Sequence, residues 1–271
     1  FVLVGAALPW LVRRMARRAF GEAAGWQAAW LALLMPLAGL MGVLALPDAP
    51  MVLAALLVLD AVLAMLARRR GADAVQLALG LALGALSHYR FAAVLLAGLA
   101  GLLCFPAGRA LLREGRTLAA LAVGALAWLP LLRWNLAHAG AGFGFHLLER
   151  HPWSPRIDGL GWPLLQALVV PPALVLLLLA GLVRAWRERR GGRVEWPLLL
   201  GAGGVASVGW FALAFVADAE RVSFHWPIAG WLVLCIAAPP VLAAWPRAAA
   251  VALLCMQAVP LERLQPPMTP P

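Results

Sequence analysis

Residues 164–183 read LLQALVVPPALVLLLLAGLV, and residues 197–216 read PLLLGAGGVASVGWFALAFV. Each run approaches the ~20 apolar residues that span a bilayer as a helix, and neither contains a charged side chain. Hydrophobic residues make up 64% of the chain and charged residues 13%. Soluble domains carry about 25% charged residues. The sequence therefore predicts an all-α, polytopic membrane protein built as a helical bundle.

The basic residues indicate how the chain is oriented. All 22 are arginines, and most stand in short stretches beside alternate apolar runs. Such stretches mark the cytoplasmic side of a membrane protein. All five histidines then fall on the opposite, outward side. Membrane orientation therefore accounts for the net charge of +10, and no nucleic-acid partner is predicted.

Polar stretches divide the chain into about nine or ten membrane segments. Two neighbouring apolar runs, residues 74–86 and 91–105, are short for a ~30 Å hydrocarbon core. Arginines flank the far ends of both runs. The pair predicts a short hairpin whose tip, Ser87-His88-Tyr89-Arg90, points outward within the membrane.

The hairpin tip is the first candidate site. His88 and Arg90 place two cationic side chains at membrane depth, where ionisable residues are costly and usually functional. A phosphate would offset their desolvation through charge-assisted hydrogen bonds. The alternative is an internal pair, for instance with Asp60, which lies in the middle of another apolar run. For Asp60 itself we expect a structural pair with a neighbouring helix rather than a proton relay.

The outward loops supply a second group of candidates. Asp48, between two prolines, could bind a metal, a sugar or a cation, or cap the helix that follows. His146 and Glu149, three residues apart, would share one face of a helix and could hold zinc, but they match no metal signature. No metal site is predicted, and a divalent metal stays an open alternative. The candidates for sugar or acceptor binding are Asn135, His138, His146, Glu149, Arg150 and His225.

Four stretches, in this order, resemble a known enzyme family. They are Leu46-Pro47-Asp48-Ala49, then GLALGALSHY ending at Tyr89, then Trp134-Asn135 with His138, Phe143 and Phe145, and finally His225-Trp226-Pro227. Together they are similar to the membrane glycosyltransferases of family 39, which include aminoarabinose transferases acting on lipid A and dolichyl-phosphate-mannose protein mannosyltransferases. The resemblance covers nearly the whole chain. It implies a C-type glycosyltransferase fold, with residues 1–271 as a single transmembrane domain.

The resemblance also implies a reaction. Members transfer a sugar from a polyprenyl-phosphate donor to a lipid, glycan or protein acceptor on the outer side of the membrane. Asp48 would then belong to the catalytic site, and His88, Tyr89 and Arg90 would hold the donor phosphate. His88 stands where relatives usually carry lysine. The family's general base would precede Phe1, so the sequence is expected to be N-terminally truncated and incomplete for catalysis.

The expected location is the bacterial inner membrane, with the site facing the periplasm. An alternative is a polytopic transporter or flippase for an anionic lipid or lipid-linked sugar, favoured by the buried cations and Asp60. Transporters of this kind often carry broken helices in both of two related halves. Only one short hairpin is evident in the sequence, which counts against that alternative. A non-catalytic structural membrane subunit is the third hypothesis.

Reporter fusions test the predicted orientation. Fusions after Arg113 and Arg189 should give cytoplasmic signals, and fusions after Asp48 and His146 should give external ones, because arginine-rich loops stay inside. A cytoplasmic signal from the His146 fusion would contradict the whole topology.

Overall fold

The computed structural model describes residues 1–68, 70–149, 153–155, 157–217 and 223–245. All regular structure within these ranges is helical, so the predicted all-α bundle is confirmed. The α-helices are α1 (Val2–Phe20), α2 (Glu22–Leu33), α3 (Pro36–Val43), α4 (Asp48–Arg68), α5 (Gly71–Ser87), α6 (Phe91–Leu103), α7 (Pro106–Leu112), α8 (Gly115–Leu126), α9 (Leu129–Ala137), α10 (Ala141–Gly144), α11 (Trp162–Val169), α12 (Pro172–Glu188), α13 (Glu195–Leu199), α14 (Ala206–Ala214), α15 (Ile228–Ala237) and α16 (Pro239–Ala244). Two π-helical stretches, Phe145–Glu149 and Leu200–Val205, and the 3-10 helix Ile157–Gly161 extend their neighbours.

Three helical stretches of the described part are long and apolar enough to cross a membrane. They are Asp48–Arg68, Gly115–Ala137 and Glu195–Ala214. The bent pairs Glu22–Leu33 with Pro36–Val43, and Gly159–Val169 with Pro172–Glu188, raise the number of spans to five if each pair counts as one. The chain is thus an integral membrane protein, with fewer uninterrupted spans than its nine or ten apolar segments predict.

Two apolar runs that are long enough to form single spans are broken. Residues 26–46 bend by 71° between α2 and α3, and residues 164–183 bend by 109° between α11 and α12. Pro36 and Pro172 each stand in the first turn of the second helix, where a missing N–H leaves no helical hydrogen bond unmade. The residue before each proline is pushed out of the helical conformation. Proline, rather than a loss of hydrophobicity, therefore ends the first helix of each pair.

The hairpin is present as α5 and α6, joined by residues 88–90. Phe91 begins α6 fully buried, with its ring against the backbone of Gly84 on α5. Only glycine fits there, because a Cβ on Gly84 would overlap the ring. Beyond this contact α5 packs mainly on α4 and α8, and α6 packs on residues 200–205. The two helices that carry the tip therefore pack against different parts of the bundle.

Helix α1 includes a group of arginines that the sequence pattern predicts to lie in a cytoplasmic loop. Its last turns carry Arg13, Arg14, Arg17 and Arg18. Because α1 packs against α4, two of these side chains reach the middle of the bundle instead of pointing into bulk solvent.

Asp60, in α4, is the acid that receives them. Its carboxylate is fully buried, with Oδ1 2.7 Å from Arg18 Nη1 and Oδ2 3.0 Å from Arg14 Nη2. Gln76 of α5 donates to Oδ2 at 2.8 Å and to the Leu57 carbonyl at 3.0 Å. Pairing of Asp60 with a neighbouring helix is thus confirmed. The network joins α1, α4 and α5, and it satisfies a charge that would otherwise be strongly destabilising.

Asp60→Asn tests this network. The substitution removes the charge that both arginines share, and the loss of one partner of a buried pair costs about 3–5 kcal/mol. We expect the lower end of that range for the free energy of unfolding in mild detergent, because Arg14 and Arg18 keep 27% and 20% of their side chains exposed.

Glu22→Gln is the matched control. Glu22, the first residue of α2, also pairs with arginines of α1, Arg13 and Arg17, but its side chain is 55% exposed. Its effect should stay below about 1 kcal/mol. Equal losses in the two variants would contradict a stabilising role for the Asp60 network.

Candidate functional site

The candidate site is built around the carboxylate of Asp48, the first residue of α4. Its side chain is 3% exposed. Arg90, in the turn between α5 and α6, places Nη2 2.6 Å from Asp48 Oδ1. His225, just before α15, places Nε2 3.4 Å from Oδ2. Three residues that lie far apart in the sequence therefore meet at one carboxylate.

Arg90 is held from several directions. Its guanidinium carbon lies 4.3 Å from the ring centre of Trp226, an arrangement that adds a cation–π attraction to the ion pair. Its backbone N–H donates to His88 Nδ1 at 3.0 Å, and its Nη2 lies 3.4 Å from His88 Nε2. The alternative of an internal pair therefore holds for Arg90, although the carboxylate that it meets is Asp48 rather than Asp60.

Aromatic rings extend the site beyond His88. The ring of His146 lies 5.8 Å from that of His88 and 4.6 Å from that of Tyr89. Phe143 meets Tyr89 edge to face at 5.5 Å. The hairpin tip and residues 143–146 therefore form one surface, although more than fifty residues separate them in the sequence.

Asn135 ties this surface together. It is buried at the end of α9, and its Nδ2 lies 3.0 Å from both Tyr89 Oη and the Leu131 carbonyl oxygen. Its Oδ1 accepts the backbone N–H of Phe143 at 2.9 Å. The side chain predicted to bind sugar thus has both ends of its amide engaged inside the protein, as a bridge between two segments.

Other predicted residues lie elsewhere or outside the described ranges. His138 is exposed and stacks on Trp134 at 4.4 Å. Glu149 is exposed on the π-helical stretch that follows α10. Arg150 lies outside the described residues. Among the side chains that the structure does describe, no three His, Cys, Asp or Glu residues are grouped so as to hold a metal ion.

Sequence reasoning missed three residues that shape the site. Trp226 looks like an ordinary interfacial tryptophan, yet it lies against Arg90. Gly142 faces the hydroxyl of Tyr89 closely enough that a Cβ would overlap it. Gln166, buried on α11, hydrogen-bonds the backbone just before His225. Only Gln166 gave a usable signal, as a lone polar side chain within an apolar run.

Comparison with known families gives a match over the N-terminal part of the chain. Residues 1–134 match the model for dolichyl-phosphate-mannose-protein mannosyltransferase. The chain is mannosyltransferase-like. The resemblance stated from the sequence motifs is thereby confirmed, and with it a glycosyltransferase of the C-type membrane class. The matched residues include Asp48 and the hairpin tip, whereas Asn135 and His225 lie beyond them. No curated protein matches the chain.

Gly142→Ala tests the contact between the tip and α10. The new methyl group would stand 2.9 Å from Asn135 Oδ1 and would overlap Tyr89 Oη, so the tyrosine ring must move. Tyr89 is the single tyrosine of the chain, and 3-fluorotyrosine labelling therefore gives one fluorine NMR signal. We expect that signal to shift or broaden in Gly142→Ala. Gly98→Ala, which meets open space, should leave it in place; an unchanged signal in both variants would refute the contact.

Proposed function

We propose that this mannosyltransferase-like protein transfers a sugar from a polyprenyl-phosphate donor to a lipid, glycan or protein acceptor on the extracytoplasmic side of the membrane. The proposal extends to residues 1–271 as a single transferase domain. The observation that carries it is the position of Arg90, which is oriented by a buried carboxylate and an aromatic ring, with His88 beside it.

The chemistry follows from the bond that breaks. When the sugar leaves the donor, the lipid phosphate takes the bonding electrons and gains negative charge. A preorganised cation lowers the energy of that transition state, and it does so most effectively where water is excluded. Arg90 is 13% exposed, and its ion pair with Asp48 fixes the guanidinium before a substrate arrives. A guanidinium has five N–H donors, so one group can bind a carboxylate and a phosphate together.

The surroundings of the tip suit a lipid-linked donor. Leu79 and Leu86 of α5 and Leu96 of α6 are each about two thirds exposed. Apolar side chains of this kind can face the hydrocarbon core of the bilayer, where their exposure carries no free-energy penalty. A donor with an apolar tail in the bilayer could therefore present its phosphate to Arg90 without leaving the membrane.

Asp48 is proposed to belong to the catalytic site, as the carboxylate that orients the guanidinium of Arg90. His146 and His225 border the same cluster and are proposed to contact the sugar or the acceptor. His138 and Glu149 are proposed as more distant acceptor contacts, and Arg150 is proposed from the sequence alone as a further acceptor-binding residue.

We propose the bacterial inner membrane as the location, with the site facing the periplasm. The supporting observation is that four residues assigned to outward loops, Asp48, Arg90, His146 and His225, gather at one place. No observation favours the transporter alternative, and the family match favours glycosyl transfer.

Arg90→Ala tests the phosphate role in membranes containing the full-length protein. Loss of a charged hydrogen bond should weaken use of the lipid donor by about 1.5–3 kcal/mol in kcat/KM. His88→Ala should act in the same direction, and His88→Lys should retain donor use because it restores a cation. The measurement is sugar transfer at varied donor concentration.

Arg133→Ala is the control, since Arg133 is an exposed outward arginine on α9. It should leave donor use unchanged. If Arg90→Ala and His88→Ala proteins fold well and keep the wild-type kcat/KM for the donor, the proposed phosphate site is wrong.

A further inference from the structure

Gln166 is a buried polar residue with no place in the chemistry described above. Its side chain is 2% exposed. Its Nε2 donates to the backbone carbonyl of Phe224 at 2.9 Å, and its Oε1 accepts the indole N–H of Trp231 at 3.0 Å. The amide therefore joins α11, the turn before α15, and α15 itself.

Only a primary amide of this length meets both demands. Phe224 offers a carbonyl that needs a donor, and Trp231 offers an N–H that needs an acceptor. A glutamate would satisfy Trp231 but present a second acceptor to the carbonyl. An asparagine is one methylene shorter and cannot bridge the two groups. The pairing is thus specific to glutamine rather than a general consequence of polarity.

The bend between α11 and α12 explains how Gln166 comes to lie there. The chain turns by 109° at this bend, so α11 does not continue the axis of α12. Trp162, at the start of α11, packs in a small buried cluster with Trp226, Ala214 and Ala217. Helix α11 thus holds the 224–226 turn through the hydrogen bond to Phe224, and its Trp162 shares a buried cluster with Trp226.

The residues that this turn presents are those that touch the ion pair. His225 faces Asp48 Oδ2 at 3.4 Å, and Trp226 lies against the guanidinium of Arg90. His225 follows Phe224 directly in the sequence, and Trp226 is the next residue. Because the Phe224 carbonyl belongs to the peptide bond that leads into His225, its displacement moves the imidazole directly and the indole with it.

We infer that Gln166 is a positioning residue, which fixes the 224–226 turn so that His225 and Trp226 hold Asp48 and Arg90 in their active arrangement. The inference rests on the proposed function for its catalytic consequence, but its structural part is independent of any substrate. It also gives the broken span a role, since a straight helix over residues 164–183 would carry Gln166 away from the turn.

The first test reads the His225–Asp48 contact directly, without substrate. In protein labelled with 15N-histidine, Asp48→Asn should shift the ring signals of His225, which His225→Gln identifies. In the Gln166→Met background, Asp48→Asn should no longer shift them, because the imidazole has left the carboxylate. Gln166→Asn should give the same result and keeps a buried amide, which protects the test if Gln166→Met folds poorly.

The second test measures transfer. Misplacement of a supporting group by about 1 Å can cost up to about 100-fold, and we expect a 10- to 100-fold loss of kcat/KM for the lipid donor in Gln166→Met. Trp231→Phe is the matched control, because it deletes the other hydrogen bond of Gln166 and leaves the bond to Phe224. It should lower thermal stability about as much as Gln166→Met while keeping most of the transfer activity.

The outcomes separate the two proposals. Coupling between Asp48 and His225 that survives in both Gln166 variants overturns the positioning role, whatever the activity. Equal losses of transfer in Gln166→Met and Trp231→Phe also overturn it, since they indicate a purely structural residue. If the coupling disappears as expected while the wild-type protein uses no polyprenyl-phosphate donor, the result supports the positioning of the turn and rejects only the proposed reaction.

Discussion

The need to pair buried carboxylates with cations is the constraint on which this bundle depends. Asp48 and Asp60 both lie on α4 and are almost completely buried. An unpaired carboxylate in such surroundings is prohibitively costly, so each must meet a cation carried by another segment. Arg14 and Arg18 of α1 reach Asp60, and Arg90 of the hairpin tip reaches Asp48. Two ion-paired carboxylates on one helix thus fix the positions of α1, α4 and the hairpin.

The two carboxylates lie at different positions along α4 and have different surroundings. Twelve residues of helix separate the acids by about 18 Å, at 1.5 Å per residue. The Asp60 network is closed by Gln76 and joins three helices, which suits a structural role. The Asp48 pair is bordered by His88, His225 and Trp226, groups that can bind a phosphate or a sugar. We propose that the first network holds the scaffold rigid while the second does the chemistry.

Short helical pieces at the hairpin-tip end complete the site. The bend before α12 places α11 against the 224–226 turn, and α10 with the π-helical stretch after it places His146 against the hairpin tip. Neither piece is long enough to span a membrane, yet one supports the turn that carries His225 and Trp226, and the other brings His146 to His88 and Tyr89. Irregular backbone of this kind is tolerated at membrane depth where it is buried in protein.

The sequence by itself determined the all-α membrane class, the short hairpin, and the relation to mannosyltransferase-like enzymes. These properties follow from composition, from the length of apolar runs and from local motifs, which need no knowledge of packing. It also singled out Asp48, His88, Arg90, Asn135, His146 and His225 as candidates, because polar residues are rare in such a chain.

Only the tertiary structure decided which of these residues meet. Arg90 could have paired with Asp60 by sequence alone, but α1 brings its own arginines to that acid. The roles of Trp226, Gly142 and Gln166 depend on contacts with Arg90, Tyr89 and Phe224, which lie 53 to 136 positions away in the sequence. Residues 164–183 look like one span, and their prolines break it in a direction that packing sets. Long-range pairing and helix direction are three-dimensional properties, and hydrophobic periodicity carries no information about either.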